Sequence, residues 1–119
     1  MLEEESLVTI YFYAKCSKCR ESLCLLEEND ERVELVEYMK KALTREQLTA
    51  LIEQLQITPF DLVRTKEEIF QKKFSKRSKS RFDWIGAMIK YPELMERPIV
   101  VKNKRAVIGR PPSKVLDLL

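Results

Sequence analysis

Cys16-Ser17-Lys18-Cys19 is the segment of this chain best equipped for chemistry. It follows a β-branched and aromatic run, Leu7 to Tyr13, and precedes a helical pattern, so the spacing predicts a strand, a turn and a helix that starts at the cysteines. A helix N-terminus presents N–H groups without intrahelical acceptors and carries partial positive charge. Both favour a thiolate, and thiols placed there titrate at roughly 3.5–7.5 instead of about 8.5. Cys16, at the expected N-cap, gains most and is the expected nucleophile, with Lys15, Lys18 and Arg20 adding positive charge. Cys19, one turn on, is a candidate resolving thiol able to close a disulfide with Cys16, and is equally suited to core packing. Cys24 falls among Leu23, Leu25 and Leu26 and is expected to pack as a small hydrophobe.

The remaining residue types narrow the chemistry. The chain has no His, which excludes Ser–His and Cys–His catalysis and His-containing metal sites. Its three cysteines are too clustered for a disulfide framework and lack a second ligand group for zinc, so no metal is expected. Arg64, Arg97 and Arg110 each sit beside a break in regular structure, the last two directly before Pro98 and Pro111. A guanidinium fork suits a tetrahedral oxyanion, although composition alone reads all three as solvated surface charge. Lys72, Lys73, Lys76, Arg77, Lys79 and Arg81 form a basic stretch with no acid among them. Its expected role is a solvated loop or a steering patch for anions or an acidic partner. Aromatic interleaving that would suggest RNA readout is missing from it.

The elements that must position these residues follow from periodicity. Residues 7–13 read as a strand buried on both faces, and Val33 to Tyr38 alternate as a second strand. The intervening helix ends near Asn29-Asp30. Thr44 followed by Gln47 signals a helix start, with Leu48, Leu51, Ile52 and Leu55 at helical spacing. Thr58-Pro59 starts a short turn, and 65–73 and 81–90 read as two more helices. Ile99–Val101 and Arg105–Ile108 read as a hairpin turning at Asn103-Lys104, although the Asn-Gly signature is missing. Pro111-Pro112 precedes a last short helix, Ser113 to Leu119. The order β-α-β, helical block, β-β-α predicts an α/β, thioredoxin-like fold: a mixed central sheet flanked by helices, with a helical insertion, in a single domain over residues 1–119. With 45% hydrophobic residues in 119, a packed core is expected, and a net charge of +3 does not by itself imply nucleic-acid binding. The acidic opening, Met1 to Glu5, is unlike a secretory signal, and the apolar runs fall far short of the ~20 residues needed for a membrane span. A cytoplasmic protein is expected.

Four stretches together resemble the glutaredoxin-linked arsenate reductase family: Lys15-Cys16-Ser17-Lys18-Cys19-Arg20-Glu21, Val63-Arg64-Thr65-Lys66-Glu67-Glu68, Glu96-Arg97-Pro98-Ile99-Val100-Val101 and Ile108-Gly109-Arg110-Pro111-Pro112-Ser113-Lys114-Val115. The resemblance implies that Cys16 attacks arsenate and that Arg64, Arg97 and Arg110 hold the oxyanion around one pocket. It implies that glutathione is a co-substrate, that glutaredoxin or another thiol reductant is a partner, and that no cofactor is bound. In thioredoxin-like folds the proline facing the cysteine, here Pro98, is commonly cis, which the sequence alone does not predict. Family members often carry a His-Asn-Pro-Arg-type approach to the cysteine, where this chain has Phe12-Tyr13-Ala14-Lys15. Cys19 is similar to the second cysteine of Spx-type regulators, relatives that bind RNA polymerase and sense oxidation through such a pair. A redox-sensing regulator, and a general thiol–disulfide oxidoreductase, are therefore the alternative readings.

Overall fold

The computed structural model describes residues 7–119, so the acidic opening at Met1 to Glu5 lies outside the described residues. Val8–Tyr11 forms β1, with Val8 and Ile10 fully buried and Thr9 and Tyr11 half-buried. One face is thus wholly covered and the other only partly, where the apolar run had suggested two buried faces. β2 (Val33–Val36) pairs parallel to β1 through Val8↔Val33 and Ile10↔Leu35. β3 (Ile99–Lys102) pairs antiparallel on its other side, and β4 (Arg105–Ile108) adds antiparallel to β3, for an order β2-β1-β3-β4. The β3–β4 turn puts both Asn103 and Lys104 at positive φ, 53° and 65°. Those angles match the twist-compatible hairpin turn without the usual glycine.

The chain forms two compact units, one joining the chain up to Tyr38 with Arg97–Leu119, the other Met39–Glu96. In the first, α1 (Ser17–Glu28) packs against the 3₁₀ turns Pro112–Leu118, which stand where an α-helix was expected. Val8, Ile10, Phe12, Leu26, Val100, Val115 and Leu118 form its core. Lys102 Nζ lies 2.8 Å from Glu31 Oε1, tying β3 to the turn after α1.

The second unit is the helical insertion. α2 (Arg45–Leu55) starts at the expected capping box: Gln47 N donates to Thr44 Oγ1 (3.1 Å), and Thr44 N to Gln47 Oε1 (2.9 Å). Trp84, only 1% exposed, centres a cluster with Phe60, Phe70, Phe74 and Phe82, at ring-centroid distances of 4.8–5.9 Å. The helix expected over 65–73 instead starts after a turn at Thr65-Lys66 and runs into a π-helical segment, Phe70–Phe74, whose two end residues are buried in that cluster. The helix expected over 81–90 is α3 (Trp84–Lys90), delayed because Asp83 caps it by accepting from Gly86 N. Among the described residues no helix is long and apolar enough to cross a membrane.

Candidate active site

Cys16 is the N-cap of α1, where the sequence places it, with extended backbone angles of −95° and 120°. Its own N–H donates to the Tyr13 carbonyl (2.9 Å), and Arg20 Nη1 donates to the Ala14 carbonyl (2.6 Å), so the loop before the helix is pinned from both sides. Cys16 is 8% exposed and Cys19 is fully buried behind it. Burial opposes ionisation of Cys16, yet its pKa is lowered. The N–H of Cys19, the Arg97 guanidinium, the Cys19 thiol and the N–H of Lys18 all hydrogen-bond the sulfur and together outweigh the desolvation. Cys19 moves the other way. Burial, opposed by a backbone hydrogen bond at Tyr13 and reinforced by the neighbouring Cys16 charge, pushes its thiol up to about 12. The two thiols are therefore pushed in opposite directions, Cys16 toward easier ionisation and Cys19 away from it.

Two arginines converge on the Cys16 sulfur from the same end of the sheet, where Tyr11 pairs with Ile99 and Ile99 with Ile108. Arg110 Nη2 lies 3.6 Å from Cys16 Sγ, and its Nε donates to the Arg97 carbonyl (2.7 Å). Arg97 hydrogen-bonds Cys16, and its guanidinium carbon sits 5.3 Å from the centroid of the Tyr13 ring. Both arginines precede cis prolines, Pro98 and Pro111. Pro98 is the proline commonly cis in thioredoxin-like folds, while Pro111 was not anticipated. Gly109 holds the two segments together: its N–H donates to the Pro98 carbonyl (2.9 Å), and a Cβ there would come within 2.6 Å of Ser22 Oγ and 2.9 Å of Pro98 Cγ. A side chain at 109 would push the arginine-bearing loop off α1.

Arg64 belongs to the Met39–Glu96 unit. There its Nε lies 3.3 Å from Glu67 Oε2 and its Nη1 3.4 Å from Glu96 Oε1, while its N–H donates to the Leu94 carbonyl (2.7 Å). It is a held, mostly buried guanidinium and not the freely solvated charge that composition suggests. Cys24 corrects an expectation: it is exposed. The buried stripe of α1 is Cys19, Ser22 and Leu26, and Cys24 stands two residues from Ser22 and from Leu26, about 200° around the helix. Sequence reasoning missed Tyr13 and Tyr38. Tyr38 is 1% exposed; burial raises its pKa, and it is electrostatically coupled to Arg97, Cys19 and Cys16. The available signals were an aromatic in the loop just before Cys16 and an aromatic just past β2. Among the described residues no group of three His, Cys, Asp or Glu is placed to hold a metal.

A cysteine capping the first helix after a strand paired parallel on one side and antiparallel on the other, in a mixed sheet flanked by helices, defines a thioredoxin-like thiol protein. The chain belongs to the ArsC family, whose profile matches residues 11–118. It is 40% identical over 114 residues to the uncharacterized protein YfgD of Escherichia coli, covering 94% of this chain and 96% of that one. It is 33% identical to the arsenate reductase of Haemophilus influenzae, covering 94% and 98%. The structure of an arsenate reductase from Vibrio cholerae superposes with a TM-score of 0.89 at 37% identity, covering 96% of this chain and 98% of that one. The global transcriptional regulator Spx of Streptococcus pneumoniae is also a relative, 30% identical over 106 residues and covering 87% and 78%.

Proposed function

We propose that this protein is a cytosolic thiol-dependent arsenate reductase. The observation that carries the reading is the Arg110–Cys16 contact at 3.6 Å, beside a sulfur whose pKa is lowered by hydrogen bonds from Arg97 and two backbone N–H groups. In the first step the Cys16 sulfur attacks arsenic and one arsenate oxygen leaves as water, giving a Cys16–S–As(V) adduct. Arg97 and Arg110 neutralise the oxyanion; Arg64 joins them in this reading on the family resemblance alone. In the second step another thiol attacks the Cys16 sulfur. The arsenic–sulfur electron pair leaves with arsenic, which departs as arsenite, and the two thiols are left as a disulfide. Glutathione with glutaredoxin supplies the second thiol and regenerates Cys16. Cys19 stays a neutral thiol beside Cys16, and a pKa pushed up to about 12 makes it a weak proton donor and a poor resolving nucleophile at neutral pH, which leaves resolution to the external thiol. Purified protein with glutathione, glutaredoxin and arsenate is expected to release arsenite; no turnover with Cys16 confirmed as free thiol rejects the named activity.

The same Cys16–Cys19 hydrogen bond favours a second reading, a redox-sensing regulator of the Spx type acting through a disulfide of that pair. It requires capture of RNA polymerase that changes on oxidation, and a Cys19→Ser variant with unchanged capture counts against it. A general thiol–disulfide oxidoreductase would reduce insulin faster than arsenate.

A further inference from the structure

The basic stretch of the Met39–Glu96 unit borders a groove of about 560 Å³ on α3, independent of the Cys16 chemistry. Its floor is aromatic, from Phe74, Phe82 and Tyr91, and its rim carries three cations, Lys73, Arg77 and Lys90. Those cations are held over rings. Lys73 and Lys90 Nζ lie 5.4 and 5.6 Å from the Tyr91 centroid, and the Arg77 guanidinium lies 5.1 Å from that of Phe82. Lys73 also donates to the Tyr91 hydroxyl (3.3 Å). Such contacts fix the position of a cation without cancelling its charge. The carboxylates that could cancel it are engaged elsewhere. Asp83, the acid lining the groove, accepts both branches of Arg45 at 2.6 and 3.2 Å, and Glu68 pairs with Lys72 at 3.2 Å. Among the described residues no carboxylate pairs with Lys73, Arg77 or Lys90.

We propose that this groove docks an acidic polypeptide segment, with carboxylates on the cationic rim and one aromatic or aliphatic side chain on the ring floor. The recessed floor distinguishes it from a membrane patch, where apolar groups project beyond the charges. The rings also pack against one another, Phe74 on Phe82 at 5.7 Å and Phe74 on Tyr91 at 5.7 Å, and Phe74 is 8% exposed. They are therefore a floor and not the free platforms on which nucleic-acid bases stack. Cations set in place before binding lose less freedom on engagement, which favours affinity as well as encounter rate.

The test uses the full-length protein and a labelled Glu-rich peptide with one central Phe, followed by fluorescence anisotropy at low and high salt. The peptide is expected to bind at low salt and to be released by high salt. Replacing its Phe by Ala is expected to weaken it severalfold, roughly as for loss of one buried side chain. The K73E/R77E variant is expected to lose on the order of tenfold or more in affinity, and K73Q/R77Q to fall between. The rate of Cys16 alkylation, read on each variant, is expected to stay at the wild-type value. The proposal is overturned by no binding at low salt, by affinity indifferent to the charge changes or to the Phe, or by tighter binding of oligo-dT or phosphatidylserine vesicles than of the peptide.

Discussion

The two units of this protein use positive charge in opposite ways. In the sheet unit, Arg97 and Arg110 reach the Cys16 sulfur, with Tyr13 and Tyr38 as neighbours of Arg97. In the Met39–Glu96 unit, six cations between Lys72 and Arg81 stand at the surface above an aromatic core. A guanidinium in a partly desolvated site acts through a low effective dielectric and can shift a neighbouring pKa. An exposed ammonium is screened beyond about 8–10 Å at ordinary salt. Substitutions in the first group should therefore change chemistry at one atom, and substitutions in the second should change association and its salt dependence. The units also differ in their stabilising parts: tight backbone approach around Gly109 in one, ring packing around Trp84 in the other.

Cys16→Ser should break this contrast most severely, reducing arsenate turnover to background while leaving the circular dichroism spectrum and melting curve near wild type; retained turnover would move the chemistry elsewhere. Trp84→Ala should cost about 3–5 kcal/mol in denaturant unfolding, because the ring contacts four others and leaves a cavity. An effect under 1 kcal/mol would mean that the cluster does not hold the helical unit. Gly109→Ala should cost about 1–3 kcal/mol by overpacking against Ser22 and Pro98. Adding Ser22→Ala should recover part of that loss, and strict additivity of the two changes would refute the contact. Arg97→Gln and Arg110→Gln should both raise KM for arsenate and both should raise the Cys16 pKa, since Arg97 hydrogen-bonds the sulfur and Arg110 Nη2 lies 3.6 Å from it.

Much of this was legible in the residues. The CxxC after a β-branched run placed Cys16 at a helix N-cap, and Thr44 with Gln47 located α2, because both signals are local. The hairpin was also legible, yet its turn uses two non-glycine residues at positive φ, which composition does not announce. What failed depended on partners distant in sequence. Leu23 and Leu25 suggested an apolar side that would bury Cys24, but the Pro112–Leu118 segment and β1 select the stripe through Cys19, Ser22 and Leu26. The burial of Ser22 follows from the close approach of Gly109, and Tyr38 matters only because the chain returns at Arg97. A helical period likewise does not distinguish an α-helix from the π-helical segment at Phe70–Phe74.

The central claim is that Cys16 is a thiolate nucleophile that faces an oxyanion site. The direct test is the pH dependence of Cys16 alkylation, by mass spectrometry of the labelled peptide, with and without arsenate. A lowered pKa means that Cys16 keeps its reactive form as pH falls below the range where an ordinary thiol protonates. The alkylation midpoint should therefore lie below that of a free cysteine peptide measured alongside. Cys19, pushed up to about 12, should remain unlabelled across that range. Arsenate should slow labelling of Cys16 in a saturable way. A midpoint at or above the free-cysteine value, with labelling indifferent to arsenate, would contradict the account.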